Sequence, residues 1–324
     1  MEKRNESLDV AKGIGICMVV FGHIAIGNQP WRVLVFSFHM PLFLIISGYC
    51  FTVTSAGTVL KKMVKRYLVI AYATLIFDIA LQFVLYGKAN PFPDGVQWLK
   101  TFSLYRGLWL NVPIWYLFTM TLCQILCLWC TAFSLRIIPV LVGGMILLDE
   151  SVSFPIRWWG LATLFAFPFF AAGFLLRQTG FSNKLPMRRH VGLLIISFLV
   201  AVYSNGFTDI YAMNKGRSYL LFLYTGLVGT YLLIRLSRWI VQKWALSKHF
   251  FSLLGQNMFW ILITHYYICR HLIPGALRYT NHVSWGENIV FQVFASGGII
   301  ATYYVVLLVY QKRLDVHKSY VIQK

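Results

Sequence analysis

Ten apolar runs, most of them long enough to cross a bilayer as a helix, follow one another along this chain. They cover residues 8–26, 33–53, 67–86, 112–132, 136–149, 158–176, 189–205, 219–236, 251–272 and 288–310. A hydrocarbon core about 30 Å thick takes about 20 apolar residues of helix to span. Lipid offers the backbone no hydrogen-bonding partner, so only helices and closed barrels can cross it. The short polar–apolar alternation of barrel strands is missing here. The expected fold is all-α: a polytopic transmembrane helix bundle of about ten spans, with residues 1–324 forming one integral-membrane domain.

Composition supports this class. The chain is 58% hydrophobic and 12% charged, and a soluble protein carries about twice that charge fraction. The net charge of +19 could suggest nucleic acid, but in a membrane chain it fits basic cytoplasmic loops better. With the N-terminus inside, about twice as many Lys and Arg fall in inner as in outer loops. That bias predicts cytoplasmic N- and C-termini, an even number of spans and a multi-pass protein of the plasma membrane. The first run lacks a small-residue cleavage site, so it reads as a retained span.

The first run carries Asp9, Lys12 and His23. A charge near the middle of a membrane helix costs about 2.5–3.5 kcal/mol on insertion scales, so such residues usually face a partner, a cavity or a pathway. At about 100° per residue, Lys12 and His23 lie within about 20° of each other around a helix, and Asp9 within about 40° of that stripe. Lys12 and His23 are separated by about 16 Å along the axis. The stripe reads as one wall of a polar route; Asp9 and Lys12, at i and i+3, can also simply neutralise each other.

Other polar groups join this list. His39 opens FSFHMPLFLIISGYCF near the outer face, with Pro41 tolerated early in the helix and Ser47–Gly48 permitting close helix approach. Asn257, Thr264 and His265 mark an inward wall of the ninth run, or interhelical hydrogen bonds. Trp115 and Tyr116 begin the fourth run; with Asp149, Glu150, Trp158 and Trp159 they suit either a sugar or an interfacial belt. Asp78 is a further intramembrane acid, and the segment 87–111, with Trp98 and Trp109, is the longest outer loop. Arg66 closes the basic run KKMVKR, which attracts lipid headgroups or the phosphates of a nucleotide-containing donor. Cys123, Cys127 and Cys130 share a helix face and read as small buried hydrophobes rather than a metal site.

Several of these stretches resemble the integral-membrane acyltransferase-3 family, in particular its fucose 4-O-acetylase-like group. They are RNESLDVAKGIGICMVVFGH, HMPLFLIISGY, IWYL and LGQNMFWILITH, with FPFFAAGFLL, YTGLVGT and LSRWI in the same order. The family hallmark is a basic residue, usually arginine, then ten residues, then histidine. It falls here on Lys12 and His23, where lysine keeps the charge but loses the planar fork.

The resemblance implies acyl transfer, commonly acetyl from cytosolic acetyl-CoA, to a hydroxyl of an extracytoplasmic or lipid-linked glycan. His23 would serve as general base or acyl carrier, with Asp9 and Lys12 beside it. Arg66 and Lys12 would hold acetyl-CoA, while His39, Trp115, Tyr116, Asn257 and His265 would face the acceptor. No metal is expected. The partners expected are the glycan or lipid-linked saccharide and membrane lipids, with no nucleic acid. A transporter of a small polar or anionic solute is the alternative, although the two halves show no internal repeat. A sensing or scaffold subunit is a third, weaker reading.

Overall fold

The computed structural model describes residues 5–24, 29–70, 72–74, 76–77, 80, 112–151, 159–179, 191–279 and 288–322. Asp78, Trp98, Trp109 and Trp158, together with the segment 87–111, lie outside the described residues. The described residues are almost wholly helical, and the β-pairing among them is a single bridge, Asp209 to Asn214. Among the described residues, five helices are long and apolar enough to cross a membrane: Glu6–Ile24, Pro30–Cys50, Val112–Phe133, Tyr219–Lys243 and Ile289–Arg313. Ala162–Gln178 and Val191–Asn205 are shorter apolar helices. This is a multi-pass helical membrane protein.

The chain divides into two compact units. One comprises Met1–Val35 and Tyr231–Lys324. Its elements include α1 (Glu6–Ile24), and Asn5 caps the start of α1 by accepting the Ser7 N–H at 3.1 Å. Glycine decides how α1 meets the helix Ala245–Gln256. A methyl group on Gly13 would collide with the Phe251 carbonyl, and one on Gly255 with the Asp9 carbonyl. The two helices therefore cross backbone to backbone, the close approach that small residues allow in membranes. Lys248 pairs with Glu6 at 3.0 Å beside this crossing.

The ninth apolar run is not one helix. It breaks at Asn257, where Ala245–Gln256 ends and Met258–Tyr267 begins. The Asn257 amide donates to the Leu253 carbonyl at 2.9 Å, a local bond that competes with continued helix. A π-helical stretch, Ile268–Leu272, follows and leads into Ile273–Tyr279. The last helix runs Ile289–Ile322, and its Gln292 accepts the Trp31 indole N–H at 3.0 Å.

The other unit is Phe36–Thr230. The second apolar run is also interrupted, between Pro30–Phe36 and α3 (His39–Cys50). Pro41 has no N–H to return to the Ser37 carbonyl. The Thr225 hydroxyl donates to that carbonyl at 3.4 Å, and the Thr208 hydroxyl to the Phe36 carbonyl at 3.3 Å. Two threonines thus satisfy what the interruption exposes. Helix α3 crosses the helix Trp159–Gln178 on a second glycine pair: a methyl on Gly48 would strike the Phe170 carbonyl, and one on Gly173 the Ile45 carbonyl. Arg177 then reaches the last carbonyls of α3, Tyr49 at 3.5 Å and Phe51 at 3.4 Å, a cation where the helix end is negative. Phe167, Phe169, Phe170, Phe174 and Phe222 fill the core, and Tyr219 donates to the Phe165 carbonyl at 2.9 Å.

Residues 206–218 form a tight loop. Gly206 and Gly216 take φ values of 79° and 74°, a region open to glycine. Asn205 is buried beneath the loop, donating to the Lys215 carbonyl at 2.8 Å and accepting the Ser218 N–H at 2.8 Å.

Candidate active site

On α1 the three polar residues take up two positions. Near the helix start, Lys12 Nζ lies 2.7 Å from Asp9 Oδ1; the carboxylate is buried and the lysine keeps 23% of its side-chain exposure. This pair sits at the Gly13–Gly255 crossing, so the close backbone approach fixes its place. Near the helix end, His23 is half-buried, with its ring centre 5.1 Å from that of His265 and 5.3 Å from that of Tyr266. The His23 and His265 planes are tilted by 46°, and Tyr266 meets His23 edge-on.

His265 is 0% exposed, on the helix Met258–Tyr267. Its Nδ1 lies 2.8 Å from the Ile261 carbonyl, one turn back. Thr264 beside it bonds the Tyr303 hydroxyl at 2.6 Å. The structure thus brings together His23 and His265, which sequence spacing could not pair. Asn257 stands at the helix break, eight residues before His265 in sequence, and its amide is used in that break. Tyr266 escaped sequence reading; its position after His265, in an aromatic-rich helix, was the available signal.

In the other unit, His39 is buried at the start of α3 with its ring 4.7 Å from that of Phe36. Trp115 and Tyr116 begin the helix Trp115–Phe133, and both are buried. Tyr116 shares a 3.1 Å hydrogen bond with Ser47, and Trp115 packs on Tyr211, ring centres 5.9 Å apart. Tyr211 comes from the 206–218 loop, between two of the apolar runs. Arg66 falls within a π-helical turn, Met63–Leu68, just after the exposed Lys61 and Lys62 and next to the exposed Lys65. Cys123, Cys127 and Cys130 are buried and free, as small hydrophobes on one face. Among the described residues no group of three or more His, Cys, Asp or Glu is arranged to hold a metal.

Residues 5–311, nearly the whole chain, match the acyltransferase-3 family, described as an acyltransferase domain. The chain belongs to the acyltransferase-3 family. It is similar to the nodulation protein NolL of Sinorhizobium fredii (strain NBRC 101917 / NGR234), 26% identical over 214 residues, which are 60% of this chain and 54% of that protein. It is also similar to the nodulation protein NolL of Mesorhizobium japonicum (strain LMG 29417 / CECT 9101 / MAFF 303099), 39% identical over 69 residues, 18% of this chain and 17% of that protein. At 54%, the chain spans about half the length of the first of these relatives. No solved structure matches. Within an acyltransferase-3 domain, a half-buried imidazole beside a fully buried one is an arrangement suited to moving a proton from a hydroxyl.

Proposed function

We propose that this acyltransferase moves an acetyl or other short acyl group from cytosolic acyl-CoA to a hydroxyl of an extracytoplasmic or lipid-linked glycan. The observation that carries the reading is His23: it lies on the same helix as Lys12, in the family's basic-residue–histidine spacing, and against a second histidine. His23 acts as general base. It removes the hydroxyl proton as the oxygen attacks the thioester carbonyl; the C–O bond forms, the C–S bond breaks, and the departing thiolate takes the proton.

Lys12, held by Asp9, lies about 16 Å along the helix axis from His23. That separation suits donor phosphates or pantetheine at one end of the route and the reacting carbonyl at the other. Arg66, with Lys61, Lys62 and Lys65, supplies charge for the donor's phosphates on the inner face. His39, Trp115, Tyr116 and Asn257 are assigned to the acceptor side. The chain is read as an integral-membrane domain of the plasma membrane with both termini cytoplasmic. This geometry has a chemical purpose: the activated acyl group is made inside, whereas the glycan is modified outside.

The test is reconstitution in vesicles with labelled acetyl-CoA and cell-envelope glycan. Release of free CoA coupled to acceptor acetylation, lost in His23→Ala at equal expression, is the expected result. Solute uptake without acetylation would establish transport instead, and undiminished acetylation in His23→Ala would remove His23 from the chemistry.

A further inference from the structure

The orientation of one buried imidazole follows from its hydrogen bonds. His265 Nδ1 lies 2.8 Å from the Ile261 carbonyl oxygen, which can only accept, so Nδ1 carries the hydrogen. Nε2 is buried without a hydrogen-bond partner. A charged ring would present a second buried N–H to nothing, so the ring is neutral and Nε2 is a bare lone pair. Burying such an acceptor unpaired carries its desolvation cost. An N–H that meets it during the reaction offsets that cost.

His23 is the group placed to supply that N–H. Two imidazoles joined by an N–H···N bond of about 2.9 Å have ring centres about 5 Å apart, since each nitrogen sits about 1.1 Å from its ring centre. The observed separation is 5.1 Å. His23 is half-buried and the His265 ring is fully enclosed, so of the two rings His23 is the one with room to turn a nitrogen toward Nε2.

We propose that His265 is a positioning residue for His23, resting on the acyl-transfer reading above. Its Nδ1–H is anchored on Ile261, and its Nε2 accepts one N–H of His23. The other His23 nitrogen then carries the ring's lone pair, for use on the acceptor hydroxyl. When that nitrogen takes the hydroxyl proton, the resulting imidazolium keeps its hydrogen bond to His265, and the proton then leaves on the CoA thiolate. His265 itself gains and loses no proton. The logic is that of a base oriented by a third group, with a neutral imidazole where a carboxylate often stands.

Two measurements on the full-length protein in lipid nanodiscs test this. In the first, 15N NMR of histidine-labelled protein, assigned with His265→Leu, is expected to show His265 as the Nδ1–H tautomer. An Nε2–H tautomer overturns the proposal whatever the enzyme does. In the second, acetyl transfer is followed in three variants. His265→Leu is expected to lower kcat about 100-fold with KM within about twofold, at the low end of what general-base catalysis contributes. His265→Gln, which offers an amide oxygen near the Nε2 position, is expected to restore at least about tenfold of that loss. His265→Leu added to His23→Ala is expected to cause no further loss, because both act through one base. Equal losses in the Leu and Gln variants at equal folded yield, or a further loss on top of His23→Ala, overturn the orienting role. Activity lost in His23→Ala but kept in His265→Leu does the same and leaves the enzyme reading standing. Activity kept in His23→Ala removes the general base and this role with it.

Discussion

Tyr266 presents its ring edge-on to His23, ring centres 5.3 Å apart and planes at 85°. The residue that follows His265 thus braces the histidine of α1, so one turn of the helix Met258–Tyr267 holds His23 from two sides. The contact between the two rings is aromatic. Tyr266→Phe should therefore keep acetyl transfer within about twofold, while Tyr266→Ala should lower kcat by about two- to tenfold, the size of an edge-to-face pair. Steady-state kinetics on the purified pair of variants checks this. A larger loss in Phe than in Ala would assign the role to the hydroxyl instead.

The glycine crossing in the same unit carries a stability prediction. Overpacking a tight core costs about 1–3 kcal/mol, and at Gly255 the obstacle is backbone that cannot rotate away. Gly255→Val should fall at or above the upper end of that range and reduce the detergent-stable folded fraction. Gly57→Ala is the control, since nothing lies within 4 Å of a methyl placed there. Thermal unfolding followed by size-exclusion chromatography should show a large loss for Gly255→Val and little change for Gly57→Ala.

The Asp9–Lys12 pair separates charge balance from chemistry. Lys12→Met takes from the buried Asp9 carboxylate its 2.7 Å partner; breaking a fully buried pair costs about 3–5 kcal/mol, and the partial exposure of Lys12 points to the low end. Asp9→Asn combined with Lys12→Met should recover much of the thermal stability without recovering acetyl transfer. Lys12→Arg should keep both. Recovery of activity in the double variant would make the pair structural only.

How much of this was written legibly in the chain varies with the kind of interaction. The α1 stripe was readable, because helical periodicity alone fixes which residues share a face. The meeting of His23 with His265 was not, because it depends on where a distant helix docks. Ser47–Gly48 announced a close approach in sequence, yet its partner Gly173 could be found only from the crossing. The breaks at Phe36–His39 and at Asn257 escaped detection for a different reason. Neither is polar enough to end its apolar run, and each is settled by hydroxyl or amide bonds to particular carbonyls. The order of residues 206–218 has no pattern of its own in the sequence, because it comes from Asn205 beneath them.

That loop yields a further expectation. Asn205 supplies two side-chain hydrogen bonds to it, and net hydrogen bonds are worth about 0.5–1.5 kcal/mol each. Asn205→Ala should loosen the loop by about 1–3 kcal/mol. Amide hydrogen exchange at Ser218 should quicken sharply, while exchange in the helix Tyr219–Lys243 stays slow. Unchanged exchange at Ser218 would show that the two glycine turns order the loop unaided.

The final helix, Ile289–Ile322, outlasts the bilayer it enters. At about 1.5 Å per residue, its 34 residues reach about 51 Å, against a hydrocarbon thickness of about 30 Å. About two-fifths of its length therefore exceeds what an upright span needs, and the basic residues Lys312 and Arg313 lie in its C-terminal part. The chain thus leaves its last apolar run as continuous helix, a stiff extension rather than a slack tether.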